Sequence, residues 1–409
     1  MKSILVIAAL SATVASASMP EVSSVKMDQN AGRRVTITYK LSSTPAVVTV
    51  DIQTNEVSIG DSNLHYFDGA VNRVVTSADA DGEGRYTITW RPNKAWPGHL
   101  ITDNSVTAVV KAWPTDAPPD IMVVNLAKTG DVRYYTSTDA LPGGLSSDAY
   151  RTQMLVMKRI HATDVPWKMG CYDGAEPGRS ANENPHYVTL DHDYYIGIFE
   201  FTYGQWESIG MNVPTHAHVT DANWRVYPIA QIQPLWIRVA SNMSGSWSAD
   251  YDGDNDPNPD SALGKLRTRS GGLKFDLPTE AEWEYASRAG HDTDNTWGNG
   301  LAISEANADV YAWTKKKSAP ARGGSLQPND FGLYDMSGNS VEICRDVYVS
   351  TLTAVDGTPN LGATSDSQMV GRDGGFDSNW WDCRPAKRFG LTKTTAWKSY
   401  GFRVALPLK

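Results

Sequence analysis

The residues best suited to chemistry crowd one stretch near the end of the chain, Gly371 to Arg403. It carries a double glycine (Gly374, Gly375), paired tryptophans (Trp380, Trp381) and then Cys383 followed directly by Arg384. Lys387 and Arg388 complete three basic residues within five positions. Cys383 is the one group in this stretch with nucleophilic or soft-metal chemistry. Aromatic faces beside guanidinium and ammonium groups suit an acidic or sulfated ligand, or an extended peptide. Asn379, Trp380, Trp381, Arg384, Lys387 and Arg388 are therefore the candidate binding groove, with Cys383 the candidate catalytic residue. The competing role for the same side chains is structural, with the tryptophans in the core and Arg384 in an internal salt bridge.

Other chemistries are thinly supplied. Three cysteines follow the leader, Cys171, Cys344 and Cys383, and an odd number permits at most one bridge and leaves one thiol. The eight histidines include the loop pair His216 and His218, with no evident third ligand and no HxxxH helix pair. The acidic run Asp250 to Asp260 resembles a calcium loop, but Pro257 and Leu263 stand where that motif needs glycine and glutamate. Asn339 and Glu342, in a glycine-rich turn, have oxygens suited to calcium or to turn-stabilising hydrogen bonds. No nucleophile elbow, phosphate-binding loop or HExxH zinc motif occurs.

A formal charge of −9 argues against nucleic acid or an anionic membrane as partner. Lys2, the apolar run Ile4 to Ala12 and Ala15-Ser16-Ala17 read as a secretory leader over residues 1–17. No later stretch is apolar enough to span a membrane, so a secreted or periplasmic location is expected.

The elements that must position the site fall into two units. Residues 18–115 alternate apolar and polar side chains at Arg34–Lys40, Ala46–Ile52, Arg85–Trp90 and Ser105–Trp113, which predicts a small antiparallel β-sandwich acting as a spacer or adhesion module. Residues 116–154 read as linker and connecting strands, and the residues after them as a run of short strands and helices. There, Thr202 and Gln205 form a capping box for a short helix ending near Gly210. Pro234 opens another helix, running to about Asn242. Leu277 to Gly290 gives the clearest helix, capped by Thr279 and Glu282, and a purely structural role is assigned to it.

Several blocks then coincide in order: Trp167-Lys168-Met169-Gly170, Tyr195-Ile196-Gly197 to Gln205, LPTEAEWEYASRAG, FGLYDMSGNSVEI, GGFDSN with CRPAKR, and GFRVAL. Together they resemble the sulfatase-modifying-factor family, whose founding activity is the formylglycine-generating enzyme, across about residues 155–409. The resemblance implies an irregular α+β domain of C-type-lectin-like type. It implies structural calcium at Asn339 and Glu342, with a second site beginning at Asn307. It also implies copper(I) held by two cysteines, oxidising a sulfatase cysteine within Cys-x-Pro-x-Arg to formylglycine. Cys383 matches the second of those cysteines. Ser378 or Asn379 stands where the first belongs, because the loop is one residue shorter. Cys344 lies where many bacterial relatives carry a cysteine together with one matching Cys383, which implies a Cys344–Cys383 disulfide and leaves Cys171 as the odd thiol. Two functions follow as expectations: a copper- and oxygen-dependent oxidoreductase acting on a sulfatase polypeptide, or a non-catalytic lectin-like module for glycan or peptide.

Overall fold

The structure, a computed structural model, describes residues 19–30, 32–99, 105–171, 177–215, 219–239, 257–292, 304–317, 319–350 and 368–408. The leader-like segment, the His216/His218 pair and most of the acidic run at 250–260 lie outside the described residues.

The N-terminal segment builds two sheets. The first orders β1 (Val22–Gln29), β2 (Val35–Leu41), β7 (Tyr86–Trp90) and β5 (Phe67–Gly69) as β1-β2-β7-β5. The second centres on β3 (Ala46–Thr54), flanked on one side by β8 (Val106–Trp113) and on the other by β4 (Val57–Ser58) and β6 (Arg73–Val75). One short helix, α1 (Pro92–Ala95), follows β7. Alternation does what the sequence predicts here. Val35, Ile37 and Tyr39 of β2 meet Val48, Val50 and Ile52 of β3 in one shared apolar cluster.

Val47 points the other way, into the core of the following unit, where Val74 and Trp113 also pack. Tyr134 N donates to Asn72 O (2.9 Å), adding a backbone link between the two units. The stretch expected to connect them supplies β9 (Ile121–Asn125) and β10 (Val132–Tyr135) to a five-stranded antiparallel sheet. With β11 (Met154–Ile160), β14 (Tyr194–Gly197) and β19 (Ala405–Pro407), its order is β10-β9-β11-β14-β19. These strands are near-continuous apolar runs because both faces are covered. Met122, Val124, Leu155 and Met157 enter one core, and Ile121, Val123, Val156 and Ile160 enter the other.

The remaining elements are short and joined by turns. β12 (Pro166–Met169) pairs with β13 (His186–Thr189). Helices α2 (Tyr203–Ser208), α3 (Leu235–Arg238), α4 (Ala262–Arg269), α5 (Glu280–Arg288) and α6 (Glu305–Tyr311) accompany a further sheet, on which α5 packs. That sheet holds β15 (Val341–Val347), β16 (Gln368–Arg372), β17 (Arg388–Thr392) and β18 (Tyr400–Gly401) in the order β17-β16-β15-β18. Both predicted capping boxes form, at Thr202/Gln205 and Thr279/Glu282. Gly210 takes the expected left-handed turn after α2, whereas α5 is already stopped by Ala289, left-handed at φ 51°, one residue before Gly290. Among the described residues, no helix is long and apolar enough to cross a membrane.

Candidate functional site

The final loop, residues 372–388, lies across α5. That helix is buried along all nine residues, and its two inner carboxylates hold the loop in place. Arg372 Nη1 donates to Glu280 Oε1 (2.6 Å), while its Nη2 donates to Glu284 and to the carbonyl of Pro385. Arg388 forks onto both oxygens of Glu280. Arg288, one turn further along the helix, pairs with Glu284 at 2.7 Å. Burial opposes charge on Glu280 and Glu284, but the surrounding guanidiniums outweigh it and hold both carboxyls below the ordinary range. The structural role assigned to α5 includes fixing both ends of the candidate loop.

The arginines proposed for the groove are spent in this way. Arg388 serves Glu280, and Arg384 makes a two-pronged contact with Glu183 (2.8 and 3.3 Å) while its Nε donates to Trp381 O. Both are buried, so neither guanidinium is presented to a ligand. Charge in the sequence flagged them; their carboxylate partners, 201 and 108 positions away, were invisible to a local reading.

The glycine-rich turn before β15 holds a second buried charge centre. Arg403 donates to both oxygens of Glu342 (2.5 and 2.6 Å), and Trp283 Nε1 donates to Glu342 Oε2 (2.6 Å). Asn339 accepts from Ala321 N (2.9 Å) and donates to Glu200 Oε2 (2.6 Å). Gly338 has to be glycine: its φ is +85°, and a Cβ would lie 2.3 Å from Trp313 O. Asn339 and Glu342 do not fit the calcium role, because the carboxylate faces a guanidinium and the amide spans two protein partners. Asn307 lies in the first turn of α6, where its backbone N–H donates to the capping Ser304 hydroxyl. Among the described residues, no group of three or more His, Cys, Asp or Glu side chains is arranged to hold a metal.

The thiols are also placed differently from expectation. All three cysteines are separate and buried, and the Cys344–Cys383 bridge is not formed. Cys344 packs in the apolar cluster beneath α5, and ion pairs do the work of tying the loop down. Cys383 Sγ donates to Asn379 O (3.4 Å). A Cβ at Gly374 would approach Cys383 Sγ to 2.5 Å, so the loop backbone closes directly over the sulfur. Burial, with Asp373 and Asp382 nearby, pushes this thiol well above its usual range, and burial does the same to Cys344. Copper(I) needs soft thiolates; one neutral thiol, closed over by the loop backbone, does not fit it.

What the loop does present is aromatic and cationic. Trp380 is half-buried against Ala308 and Ala312, and meets Trp381 edge to face at 5.7 Å. Residues 313–317 run alongside, with Lys315 N bonded to Ser378 O (2.8 Å). Lys315 Nζ sits 5.9 Å from the Trp381 ring centre and Lys317 Nζ 4.9 Å from that of Trp313. A third segment adds the exposed Trp397 and Lys398, which lies over Phe376 at 5.3 Å and pairs with Asp377 at 3.2 Å. Asn379 stays with this face through Asp382 (3.1 Å). Sequence reasoning placed Trp380, Trp381 and Asn379 together but missed Trp313, Lys315 and Lys317, although tryptophan beside three consecutive lysines was a legible aromatic–basic signal.

A small, turn-rich α+β unit whose closing loop is locked by buried arginine–carboxylate pairs is the class this geometry defines. Residues 166–408 match the sulfatase-modifying factor enzyme 1-like domain, and the chain belongs to that family. Membership fits the C-type-lectin-like architecture expected of the C-terminal unit. The formylglycine-generating enzyme of Thermomonospora curvata is 28% identical over 160 residues, covering 34% of this chain and 51% of that protein. The serine/threonine-protein kinase pkn1 of Chlamydia caviae is 34% identical over 138 residues, covering 32% of this chain and 21% of the kinase. The chain thus spans about half of the one relative and a fifth of the other. Among solved structures, PvdO from Pseudomonas aeruginosa superimposes with a TM-score of 0.49 at 20% identity, covering 65% of this chain and 99% of that one.

Proposed function

We propose that the C-terminal unit is an exported binding module for sulfated or otherwise acidic glycans, built on the sulfatase-modifying-factor fold and lacking the copper–thiol oxidase chemistry. The observation that carries this reading is Cys383. The loop's sole thiol is buried, neutral and closed over by backbone, while the adjoining face displays tryptophans overlaid by ammonium groups. Sulfate esters would meet Lys315 and Lys317, and sugar rings would lie on the indole faces of Trp313 and Trp381. The leader-like residues 1–17 support export, and the two N-terminal sheets sharing one core support a sandwich-like spacer that holds the module away from its attachment.

Two assays separate this from oxidation of a sulfatase cysteine. In calorimetry, chondroitin sulfate should bind and its desulfated form should not. Trp381→Ala or Lys315→Gln should weaken binding about tenfold, with the melting temperature unchanged. A Cys-x-Pro-x-Arg peptide incubated with the protein, copper(I) and oxygen should keep its mass. A conversion that disappears in Cys383→Ser would replace this reading with the oxidase.

A further inference from the structure

Strand β10 is the edge of the five-stranded sheet, far in sequence from the closing loop, and two cavities meet across it. On one side a pocket of about 110 Å³ opens over Val123, Tyr135, Tyr150 and Met154. On the other, a wider cleft of about 450 Å³ is lined by Arg73, Lys128 and Arg133, with Gly271 and Leu273 opposite. Asp131 and Arg133 belong to both.

The charges at this junction are organised. Asp131 Oδ1 accepts from Arg133 Nε (2.8 Å) and its Oδ2 accepts from Asn125 Nδ2 (3.2 Å). Burial opposes charge on Asp131, but these donors outweigh it and hold the carboxyl below its ordinary range. Asp131 is therefore a fixed partner that orients Arg133. The two Nη atoms of Arg133 have no protein partner among the described residues. Arg73 is neutralised by Asp79 at 2.7 Å. Lys128 lies 4.0 Å from Asp131 and is 71% exposed, leaving one positive charge in excess beside the apolar pocket. The hairpin that carries these groups is pinned, because Gly130 N donates to Arg269 O (2.9 Å) at the end of α4.

An apolar recess with a few convergent polar groups at its mouth is the usual form of a small-molecule site. Its volume is below the roughly 150 Å³ that accommodates a benzene ring, so the occupant has a short apolar body. A guanidinium with an open Nη edge recognises a planar oxyanion by paired, charge-assisted hydrogen bonds. We propose that this edge-strand site binds a short-chain carboxylate, with its acid group on Arg133 beside Lys128 and its hydrocarbon between Tyr135, Tyr150 and Met154. This site is separate from the tryptophan–lysine face, and each can exist without the other.

Pentanoate titrated into the full chain, followed by ligand-observed NMR, tests the assignment. Binding should be at least about tenfold tighter than for pentanamide, which lacks the charge. Arg133→Gln should remove that preference, and Ala149→Leu, which fills the recess, should abolish pentanoate binding. Both variants should keep the parent melting temperature; Arg133 is a surface group, so its variant remains informative if Ala149→Leu fails to fold. Equal affinity for pentanamide, indifference to Arg133→Gln, or inorganic phosphate competing as well as pentanoate would each overturn the proposal.

Discussion

Replacing Arg403 by methionine lowers the unfolding free energy by about 3–5 kcal/mol, the usual cost of stripping one partner from a buried ion pair. Arg403 is fully buried, and its guanidinium is the cation that faces Glu342. It also donates to the carbonyls of Gly197, Tyr334 and Asp335 (2.9–3.1 Å), tying β14 and the glycine-rich turn to the segment just before the last strand. Burial works against its charge, and Glu342 more than compensates, raising its pKa. Methionine fills much of the volume but leaves Glu342 without a cation, near Glu200, Asp335 and Asp373. Arg403→Met combined with Glu342→Gln should recover a substantial part of the loss, since glutamine still accepts from Trp283 and carries no charge. Urea unfolding at constant m-value reads both variants. A single variant within about 1 kcal/mol of the parent would mean that the pair contributes little beyond its packing.

Arg403 also illustrates what the sequence does and does not disclose. The GFRVAL block is conspicuous, yet its partner lies 61 positions earlier in a segment read for its oxygens and their affinity for calcium. The same applies to Arg384 and Arg388: a positive charge in sequence announces itself, but whether it meets solvent, ligand or a buried carboxylate depends on contacts across two hundred residues. Local signals fared better because their physics is local. Both capping boxes need only four consecutive residues, and both form. Four of the five longer N-terminal strands, β2, β3, β7 and β8, follow from alternation. Strand β1 was missed because six of its eight residues face solvent, so no buried stripe marks it, and β4, β5 and β6 are too short to show a period. The closing loop stood out in the sequence for its tryptophans, and the structure leaves Trp380 and Trp381 partly exposed and edge to face. The burial of Cys383 against Gly374 is encoded in no pattern of residue types.

The acidic groups around the glycine-rich turn should make stability fall as pH rises towards neutrality. Burial lifts the Asp335 carboxyl to about 6, and burial together with neighbouring carboxylates lifts Glu200 and Asp373 well above the ordinary range. One oxygen on each of Glu200 and Asp373 is buried with no hydrogen-bond partner, which fits carboxyls that are more stable protonated. Each such group binds its proton more tightly folded than unfolded, so its contribution is complete below the unfolded pKa and disappears as pH rises through the folded one. For Asp335 alone that is on the order of 3 kcal/mol lost between about pH 4 and pH 7. Glu280 and Glu284 act in the opposite sense. Their guanidinium partners depress both, so their contribution is present above the unfolded pKa and fails as pH falls into the strongly acidic range. Stability should therefore be greatest near roughly pH 4–5 and decline towards neutrality. Asp335→Asn removes one titrating group while its amide oxygen still accepts from Gly324 N, the bond Asp335 Oδ2 makes at 2.6 Å. Urea midpoints measured from pH 4 to pH 8 in chelator-treated buffer should fall less steeply for Asp335→Asn than for the parent. Parallel profiles would show that Asp335 is ionised in the folded protein throughout that range.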